Sequence, residues 1–554
     1  MDSPAPVPSE TALLRKARGA FFTPDSIARF VARWAVRDAS DSVLEPSAGE
    51  AAFLVEAVHR LRELAPTPSV LPRVEGVEIH AASAESGATR VAAAGGLAQI
   101  KVSDFFQVQP RPEYSVVIGN PPFIRYQDFT GESRARSRQA ALRAGVNLTA
   151  LASSWAAFTV HSALFLRRGG RMGLVLPAEL LSVNYAGAVR QFLFRQFRSV
   201  ELVLFSGQVF PEAQADVVLL LADGYQEGPT DHAIVYQAED AAALATIRQP
   251  VKWTPTDPGA KWTGLLLASD ATEPLRAVTA EEHFSALESW GDTTLGAVTG
   301  NNNYFALSPA RVAALGLPRR ELLRLSPPGS SHLRGLELSA AAINSLGRQG
   351  RATWLFRPTG TLSKAAADYV EVGRRAGVND AYKCRVRKVW YCVPVVPPAD
   401  LMLTCMNADV PRLTTNNAAA HHLNSVHGVY LREEVRALGR DLLPLASLNS
   451  ITLLDAEMVG RSYGGGVLKI EPREADVWAM PSPGHVEECA SGLRRVRERV
   501  RELLAQGNLA EAVDIVDRVI LVEPGLVTTS DLNAARGARL AMMGRRVARS
   551  KHGR

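Results

Sequence analysis

The segment Val43-Leu44-Glu45-Pro46-Ser47-Ala48-Gly49-Glu50 joins a short apolar strand to a turn of small residues, and a helical pattern follows it. Small side chains and glycine allow a backbone to approach a ligand closely. In a doubly wound α/β sheet the ligand lies at the carboxyl ends of the strands, where such turns occur. The segment therefore predicts the first strand of a parallel sheet with a ligand site at its end. An ordinary strand-to-helix turn is the alternative for this segment taken alone.

Apolar strands and helical stretches alternate outward from this segment. The predicted strands are Ser42–Leu44, Val74–Glu78, Ala98–Val102, Ser115–Gly119, Arg171–Leu176, Val200–Phe205 and Val217–Ala222. The predicted helices are Ala51–Leu61, Ala81–Ala94, Ser153–Leu166 and Tyr185–Phe197. Such alternation is typical of a parallel, doubly wound sheet. The link between the last two strands is too short for a helical crossover, so these two strands are predicted to pair antiparallel.

Acidic residues end the next two strands. Glu78 follows Gly76 and Val77, and Asp104 follows Val102 and Ser103. A carboxylate at the end of the second strand can accept hydrogen bonds from ribose hydroxyls. A carboxylate after the third can accept from an adenine amine, and the adjacent Phe105 can stack on the ring. The ordered set predicts a cofactor that contains a nucleoside.

The segment Val116-Val117-Ile118-Gly119-Asn120-Pro121-Pro122-Phe123 carries the sharpest chemical signal. Each proline lacks an N–H and has a fixed φ, which makes the loop after the strand stiff. The Asn120 side-chain oxygen and the Pro121 carbonyl can then accept both hydrogens of an exocyclic amine. Phe123 offers a ring on which a flipped-out base can stack. Asn120, Pro121, Pro122 and Phe123 are therefore predicted to form a catalytic loop for methyl transfer to a planar amine.

Composition limits the remaining possibilities. The 554 residues predict two or three domains, and 47% hydrophobic with 21% charged residues is typical of a folded globular protein. No apolar run reaches the roughly 18 residues that span a bilayer. The four cysteines, Cys384, Cys392, Cys405 and Cys489, lack paired CxxC spacing, so no metal site is predicted. A net charge of +6 favours a polyanionic partner.

In their order along the chain, these segments resemble the gamma subclass of adenine DNA methyltransferases, the TaqI-like and Eco57I-like group of restriction-modification systems. Ala20-Phe21-Phe22-Thr23-Pro24 resembles the motif that precedes the sheet, and Val209-Phe210-Pro211 resembles the segment whose Phe packs on the target base. The resemblance implies a Rossmann-like class I methyltransferase sheet and S-adenosyl-L-methionine as the cofactor. It also implies that Phe123 and Phe210 sandwich a flipped adenine. The residues it assigns to the cofactor are Thr23, Glu45, Pro46, Ser47, Ala48, Gly49, Glu78, Ile79, Asp104, Phe105, Asn120 and Phe158.

The resemblance continues, more weakly, into the second half of the chain. Gly300–Phe305, Lys383–Tyr391 and Gly460–Gly466 resemble parts of the Eco57I-like target-recognition domain. The predicted organisation is a catalytic domain over 1–235, an irregular connector over 236–290, a mixed α/β recognition domain over 291–484 and a basic helical region over 485–554. Arginine, lysine and asparagine suit phosphates and base edges. The predicted DNA contacts are Arg125, Arg134, Arg136, Arg138, Asn302, Arg385, Arg387, Lys388 and Arg461.

Two positions depart from the family pattern. Family members often have glycine where Ala51 stands, and we expect alanine to be tolerated there with a negative φ. Phe123 replaces the commoner tyrosine, which keeps the stacking ring and loses only a hydroxyl.

The sequence thus predicts site-specific N6 methylation of adenine in double-stranded DNA, in restriction-modification or phage defence. The expected protein is a cytoplasmic, nucleoid-associated monomer without a membrane partner, and a restriction endonuclease or other defence subunit is expected on a separate chain. Methylation of adenine in RNA or of glutamine in protein is the alternative, because a similar loop serves both. A DNA-binding module without activity is less consistent with Asn120, Glu78 and Asp104. A fused restriction enzyme is not expected, because the sequence shows no convincing carboxylate-lysine cluster of a nuclease and is short for a fusion.

Overall fold

The computed structural model describes residues 23–551, except for 67–69, 125–127, 130, 206–208, 210–216, 248–249, 256, 267–277, 279–281 and 464–465. The chain divides into two compact units, of which the first ends at Leu265 and the second runs over Leu266–Ser550.

A nine-stranded sheet forms the centre of the first unit, in the order β3-β2-β1-β4-β5-β7-β6-β8-β9. Its strands are β1 (Val43–Glu45), β2 (Arg73–Glu78), β3 (Leu97–Val102), β4 (Tyr114–Gly119), β5 (Leu166–Pro177), β6 (Phe197–Phe205), β7 (Val217–Tyr225), β8 (Ala233–Ala238) and β9 (Val251–Trp253). Strand β4 is buried along its whole length, which explains its continuous apolar run.

Strands β1 to β5 pair in parallel, and β7 pairs antiparallel with both β5 and β6. The predicted class I methyltransferase sheet and the predicted antiparallel pairing of its sixth and seventh strands are therefore confirmed. The prediction of an irregular connector over 236–290 is wrong for its first part, which contributes strands to the sheet. Strand β8 pairs in parallel with β6, and β9 pairs with β8, so the sheet continues as far as Trp253.

The helices of the first unit pack on this sheet. They are α1 (Asp25–Ala35), α2 (Ala52–Leu64), α3 (Ala81–Ala93), α4 (Gly131–Arg143), α5 (Ser154–Ala163), α6 (Glu179–Ser182) and α7 (Gly187–Gln196). In α1 the buried positions Ile27, Ala28, Val31, Ala32 and Ala35 recur with the helical period, which turns one apolar stripe towards the core. Every residue of α5 is buried.

The second unit contains four small sheets. Their strands are β10 (Phe284–Ala286), β11 (Gly291–Leu295), β12 (Ala306–Leu307), β13 (Leu322–Arg324), β14 (Trp354–Phe356), β15 (Leu401–Thr404), β16 (Met406–Asn407), β17 (Leu413–Thr415), β18 (Val426–Leu431), β19 (Arg461–Tyr463), β20 (Val467–Lys469) and β21 (Ala479–Pro481). The largest sheet has the order β11-β18-β15-β17.

Helices surround these sheets. They are α8 (Asn302–Phe305), α9 (Pro309–Leu315), α10 (Ala340–Arg348), α11 (Lys364–Arg375), α12 (Tyr382–Arg385), α13 (Arg436–Ala446), α14 (Ser450–Val459), α15 (Pro472–Asp476), α16 (Pro483–Glu488), α17 (Ala490–Ala505), α18 (Leu509–Asp517) and α19 (Thr529–Lys551). Leu493, Val516 and Ala535 belong to the same buried cluster as Leu401 and Val429. The region over 485–554, predicted as separate, thus shares a hydrophobic core with the mixed α/β part.

Within the described residues, no single helix is long and apolar enough to cross a membrane. One pair of helices, Glu433–Ala446 and Ser450–Val459, reaches that length and composition only when taken together, and it is bent by 89°.

Candidate active site

The turn after β1 and the end of β2 meet through Glu78. The backbone N–H of Gly49 donates to Glu78 Oε2 at 2.8 Å, and the N–H of His80 donates to Oε1 at 2.9 Å. Each carboxylate oxygen keeps a further lone pair for a hydroxyl donor. Gly49 has a φ of 50°, and a Cβ built there would meet no described atom within 4 Å. Open space beside an oriented carboxylate fits the ribose of a nucleoside cofactor.

Glu45 lies deeper than the sequence suggested. Its side chain is buried, and Oε2 accepts a hydrogen bond from the Leu54 backbone N–H at 3.2 Å. Burial raises the pKa of the Glu45 carboxyl well above its usual range, and the nearby Glu78 acts in the same direction. Glu45 therefore holds the first turn of α2 against the end of β1, and its predicted contact with the cofactor stays a prediction.

Ala51 adopts the left-handed conformation, with a φ of 62° and a ψ of 37°, so the expectation of a negative φ is wrong. Its side chain is fully buried, and a Cβ built on Gly87 of α3 would lie 3.1 Å from the Cβ of Ala51. Alanine in this region costs roughly 1–2 kcal/mol. The turn between β1 and α2 therefore holds Ala51 in a conformation that the family's commoner glycine adopts without strain.

Asp104 follows β3 and is held on two sides. Its Oδ1 accepts from the Phe106 backbone N–H at 3.0 Å, and its Oδ2 lies 3.4 Å from Arg136 Nη1. Arg136 also pairs with Glu132 on its own helix, α4. One of the predicted DNA-binding arginines thus contacts the carboxylate that was predicted to bind the cofactor's adenine.

Phe105 is only 2% exposed and belongs to an aromatic cluster. Its ring stacks on Phe158 with a centroid distance of 5.4 Å and on Phe165 at 5.1 Å. His161 meets the same ring edge-on, and burial lowers the pKa of His161 to about 4, which keeps the imidazole neutral. Phe105 thus packs in the core beside Phe158 of α5, and the predicted contacts of both rings with the cofactor stay predictions.

The Asn120 side chain has one hydrogen-bonded end and one unsatisfied end. Its Nδ2 donates to the Thr23 hydroxyl at 3.1 Å, and Thr23 is itself buried. Its Oδ1 is buried and has no hydrogen-bond partner among the described residues. A buried acceptor without a partner costs about 1–3 kcal/mol, so a donor that reaches this oxygen would be stabilised there.

The loop Pro121–Ile124 is tied down by Ser154 at the first turn of α5. The Ser154 hydroxyl donates to the Pro122 carbonyl and accepts from the Ile124 N–H at 2.9 Å. The Ser47 hydroxyl donates to the Asn120 carbonyl at 3.2 Å, and the half-buried Phe123 packs against the core of the sheet. Sequence reasoning missed Ser154, because no local pattern links it to a loop that lies about thirty positions earlier.

Replacing Thr23 with valine is expected to lower kcat, because the Asn120 Nδ2 loses the hydroxyl oxygen that accepts its hydrogen bond while the side-chain volume is kept. A neutral hydrogen bond contributes about 0.5–1.5 kcal/mol, which corresponds to a fall of about 2- to 10-fold. Steady-state methylation kinetics measure this change, with KM for DNA expected to stay constant. Thr23→Ser keeps the hydroxyl and should retain most of kcat. An unchanged kcat in Thr23→Val would contradict the positioning role.

The predicted DNA contacts in the first unit have internal partners where they are described. Arg134 Nε donates to the Phe129 carbonyl at 2.5 Å, and Arg138 Nε donates to the Leu148 carbonyl at 3.2 Å. With Arg136 these bonds stabilise α4 and its flanking turns. Arg125 and Phe210 lie outside the described residues, so their predicted roles stay predictions.

In the second unit, some of the residues predicted to contact DNA are exposed, and others are bonded to groups within the protein. Arg385 and Lys388 are exposed, whereas Arg387 donates to the carbonyls of Val298 and Thr299 at 2.6 and 2.8 Å. Arg461 pairs with the buried Glu474. Arg387 and Arg461 therefore have structural partners here, which the basic pattern of the sequence did not reveal.

Asn302 also has an internal partner, because its Oδ1 accepts from the Thr299 hydroxyl at 2.5 Å. Its neighbour Asn301 caps the short helix α8 by accepting from the Tyr304 N–H. Asparagine is a preferred residue at the first position of a helix. The Asn-rich segment Asn301–Asn303 thus forms the beginning of α8.

The residues at the strand ends fit an S-adenosyl-L-methionine site in their chemistry. Glu78 offers acceptors for ribose hydroxyls, Asp104 offers an acceptor for the adenine amine, and Gly49 leaves open space between β1 and α2. Asn120 and Thr23 lie at the end of β4, the next strand of the sheet beside β1. Glu78, Asp104 and Thr23 are the residues that would hold the cofactor.

Two protein families match this chain. The family described as N-6 DNA Methylase matches residues 10–250, and the family described as Type II methyltransferase M.Eco57I, C-terminal domain, matches residues 259–521. Together they account for both compact units.

Individual relatives agree with this assignment. The chain is 26% identical to the type II methyltransferase M.XamI of Xanthomonas campestris pv. amaranthicola, over 84% of this chain and 85% of that protein. It is 20% identical to the type II methyltransferase M.AccI of Acinetobacter calcoaceticus, over 91% of this chain and 93% of that protein. The solved structure of the type IIL restriction-modification enzyme MmeI in complex with DNA is similar in fold. Its TM-score is 0.60, with 11% identity over 94% of this chain and 75% of that one.

Proposed function

The chain belongs to the N-6 DNA methylases of restriction-modification systems, and we propose that it transfers a methyl group from S-adenosyl-L-methionine to N6 of an adenine flipped out of double-stranded DNA. The observation that carries this proposal is the Asn120 side chain, whose Oδ1 is buried without a partner among the residues that the structure describes, while Thr23 holds its other end. An exocyclic amine supplies the donor that this oxygen lacks.

The catalytic loop acts on the amine through two acceptors. Asn120 Oδ1 accepts one amine hydrogen and the Pro121 carbonyl accepts the other, which draws electron density to the nitrogen and directs its lone pair away from both acceptors. Ser154 and Ser47 keep the loop backbone in place. The cofactor supplies an electrophilic methyl group. No strong base is required, because the amine proton becomes acidic as the new N–C bond forms and then leaves to water.

The target base is proposed to stack between Phe123 and Phe210. Base–aromatic stacking contributes about 1–3 kcal/mol per base, which offsets part of the cost of flipping. Phe123 remains half-buried at the end of the loop, where one edge packs on the core.

Contacts with the rest of the duplex are proposed for the second unit. Arg385 and Lys388 are its exposed cations among the predicted set, and they suit phosphate contacts. The recognition sequence would be read elsewhere in the same unit, in a modification or phage-defence system whose cutting activity lies on another chain.

A methyl-transfer assay tests the substrate. Labelled cofactor is incubated with the protein and plasmid DNA, total RNA or a protein extract, and the plasmid is then digested to nucleosides. We expect label in DNA alone, as N6-methyladenine. Label in RNA or in protein glutamine with unlabelled DNA would contradict the proposal and support the alternative substrates.

A further inference from the structure

A cluster of metal-ligand residues lies in the second unit, around the strand pair β10–β21. His283, which precedes β10, His485 and Glu488 each place a ligand atom within 4.8 Å of the others. The antiparallel pairing of Phe284 with Pro481 aligns the two segments, and the His283 carbonyl accepts from the Ser482 N–H at 2.8 Å. The backbone of the unit thus brings the two segments that carry the cluster side by side.

The other two residues of the cluster, His485 and Glu488, lie on the helix α16. His485 and Glu488 are three positions apart, which turns them to one face of the helix, and Glu488 Oε2 lies 3.7 Å from His485 Nδ1. Ser482 caps this helix by accepting from the His485 N–H, which fixes the backbone of His485. The His283 and His485 rings meet edge to face with a centroid distance of 4.9 Å.

The hydrogen bonding of His485 directs one nitrogen at the cluster. Its Nε2 lies 2.8 Å from the Ile520 carbonyl oxygen, which can only accept, so Nε2 carries the proton. The neutral ring then has its lone pair on Nδ1. His485 is 2% exposed, and its Nδ1 has no hydrogen-bond partner among the described residues. A metal-binding histidine typically donates its second N–H to a backbone carbonyl in this way.

We propose that His283, His485 Nδ1 and Glu488 bind one divalent transition-metal ion of the zinc type. Two imidazoles and one carboxylate match the preference of zinc for nitrogen and oxygen ligands at about 2.0–2.2 Å, with a fourth position for water. Magnesium and calcium prefer oxygen ligands and do not suit this set. Glu488 is 73% exposed, so its side chain can move the short distance needed to complete the site.

Cys489 would not be a ligand to this ion. Its Sγ lies 3.9 Å from His485 Nε2, and Nε2 is the nitrogen that is hydrogen-bonded to the Ile520 carbonyl. The thiol therefore lies on the side of the ring opposite to Nδ1. The ion would tie the beginning of the strand pair to α16 and would supply a partner for a buried nitrogen that otherwise lacks one.

The test is a calorimetric titration of Zn²⁺ into the full-length protein after chelation, with Mg²⁺ present throughout. We expect one Zn²⁺ per chain and a higher temperature of thermal unfolding with the ion bound. His283→Gln and Glu488→Gln should each weaken binding at least about tenfold, since even the loss of an outer partner costs 10- to 100-fold. Both positions are at least partly exposed, so these variants should fold.

His59 provides a matched control in the first unit. It lies three positions after Glu56, with Nδ1 3.9 Å from the carboxylate, but it is not part of the three-residue cluster. His59→Gln should bind Zn²⁺ as the unchanged protein does. No binding at micromolar Zn²⁺, or binding that both His283→Gln and Glu488→Gln leave intact, would overturn the proposal and leave His485 and Glu488 as an ordinary polar pair.

Discussion

Replacing Asn120 with alanine is expected to lower the rate of methyl transfer by about 10²- to 10³-fold or more, the range seen when one polar group is removed from a reacting centre. The variant loses the buried Oδ1 that is proposed to accept an amine hydrogen. The Pro121 carbonyl alone cannot orient the nitrogen lone pair. Single-turnover transfer of labelled methyl to plasmid DNA measures the effect.

Binding of S-adenosyl-L-methionine by Asn120→Ala should remain close to that of the unchanged protein, because Glu78 and Asp104 are untouched. Asn184→Ala is the matched control, since Asn184 is exposed in the turn before α7 and is outside the proposed site. It should keep full activity. Near-normal transfer by Asn120→Ala would refute the role of the amide, whereas a loss of cofactor binding would point to a folding defect.

Replacing Arg546 with methionine is expected to lower the free energy of unfolding of the second unit by about 3–5 kcal/mol, the usual cost of breaking a buried ion pair. Arg546 on α19 contacts Glu457 on α14 through two hydrogen bonds, of 2.9 and 3.3 Å. The side chains are 3% and 4% exposed. Burial raises the pKa of Glu457 and the arginine opposes this shift, so the carboxylate would be left without its counterion. Urea denaturation, with hydrogen exchange of α14 as a local readout, measures the loss.

The double variant Glu457→Leu with Arg546→Met should be less destabilised than Arg546→Met alone, because the Glu457 carboxylate is then no longer buried without its partner. Recovery should be partial, since the Gly466 and Asp409 carbonyls also lose their donor. Arg501→Met is the control, because Arg501 and Glu498 form an exposed pair and its loss should cost less than about 1 kcal/mol. A double variant as unstable as the sum of its single changes would count against this account.

The strands of the first sheet could be predicted because a buried strand must be a continuous apolar run, as Val116–Gly119 is. The position of Glu78 and Asp104 at one edge follows from connectivity, since parallel strands end on the same side. The short link before Val217 likewise required an antiparallel pair, which the structure contains. These features depend only on local pattern and order along the chain.

The basic tail illustrates what local pattern cannot reveal. From the sequence the region over 485–554 was predicted only to be helical and basic. In the structure Arg546 is buried against Glu457, and Arg536 pairs with Asp514 and Asp517. An arginine has the same appearance in a sequence whether its partner is a phosphate or a carboxylate that the fold brings to it.

The sequence by itself determined the first seven strands of the sheet, the antiparallel pairing of the sixth and seventh, and the acidic and amide residues at the strand ends. The tertiary structure decided the left-handed conformation of the buried Ala51 and the pairing of each polar atom. Thr23 and Asn120 are 97 positions apart, and Ser154 meets Pro122 across 32. Hydrogen bonds of this kind act over about 3 Å, so they exist only after the chain has folded, and no local pattern encodes them.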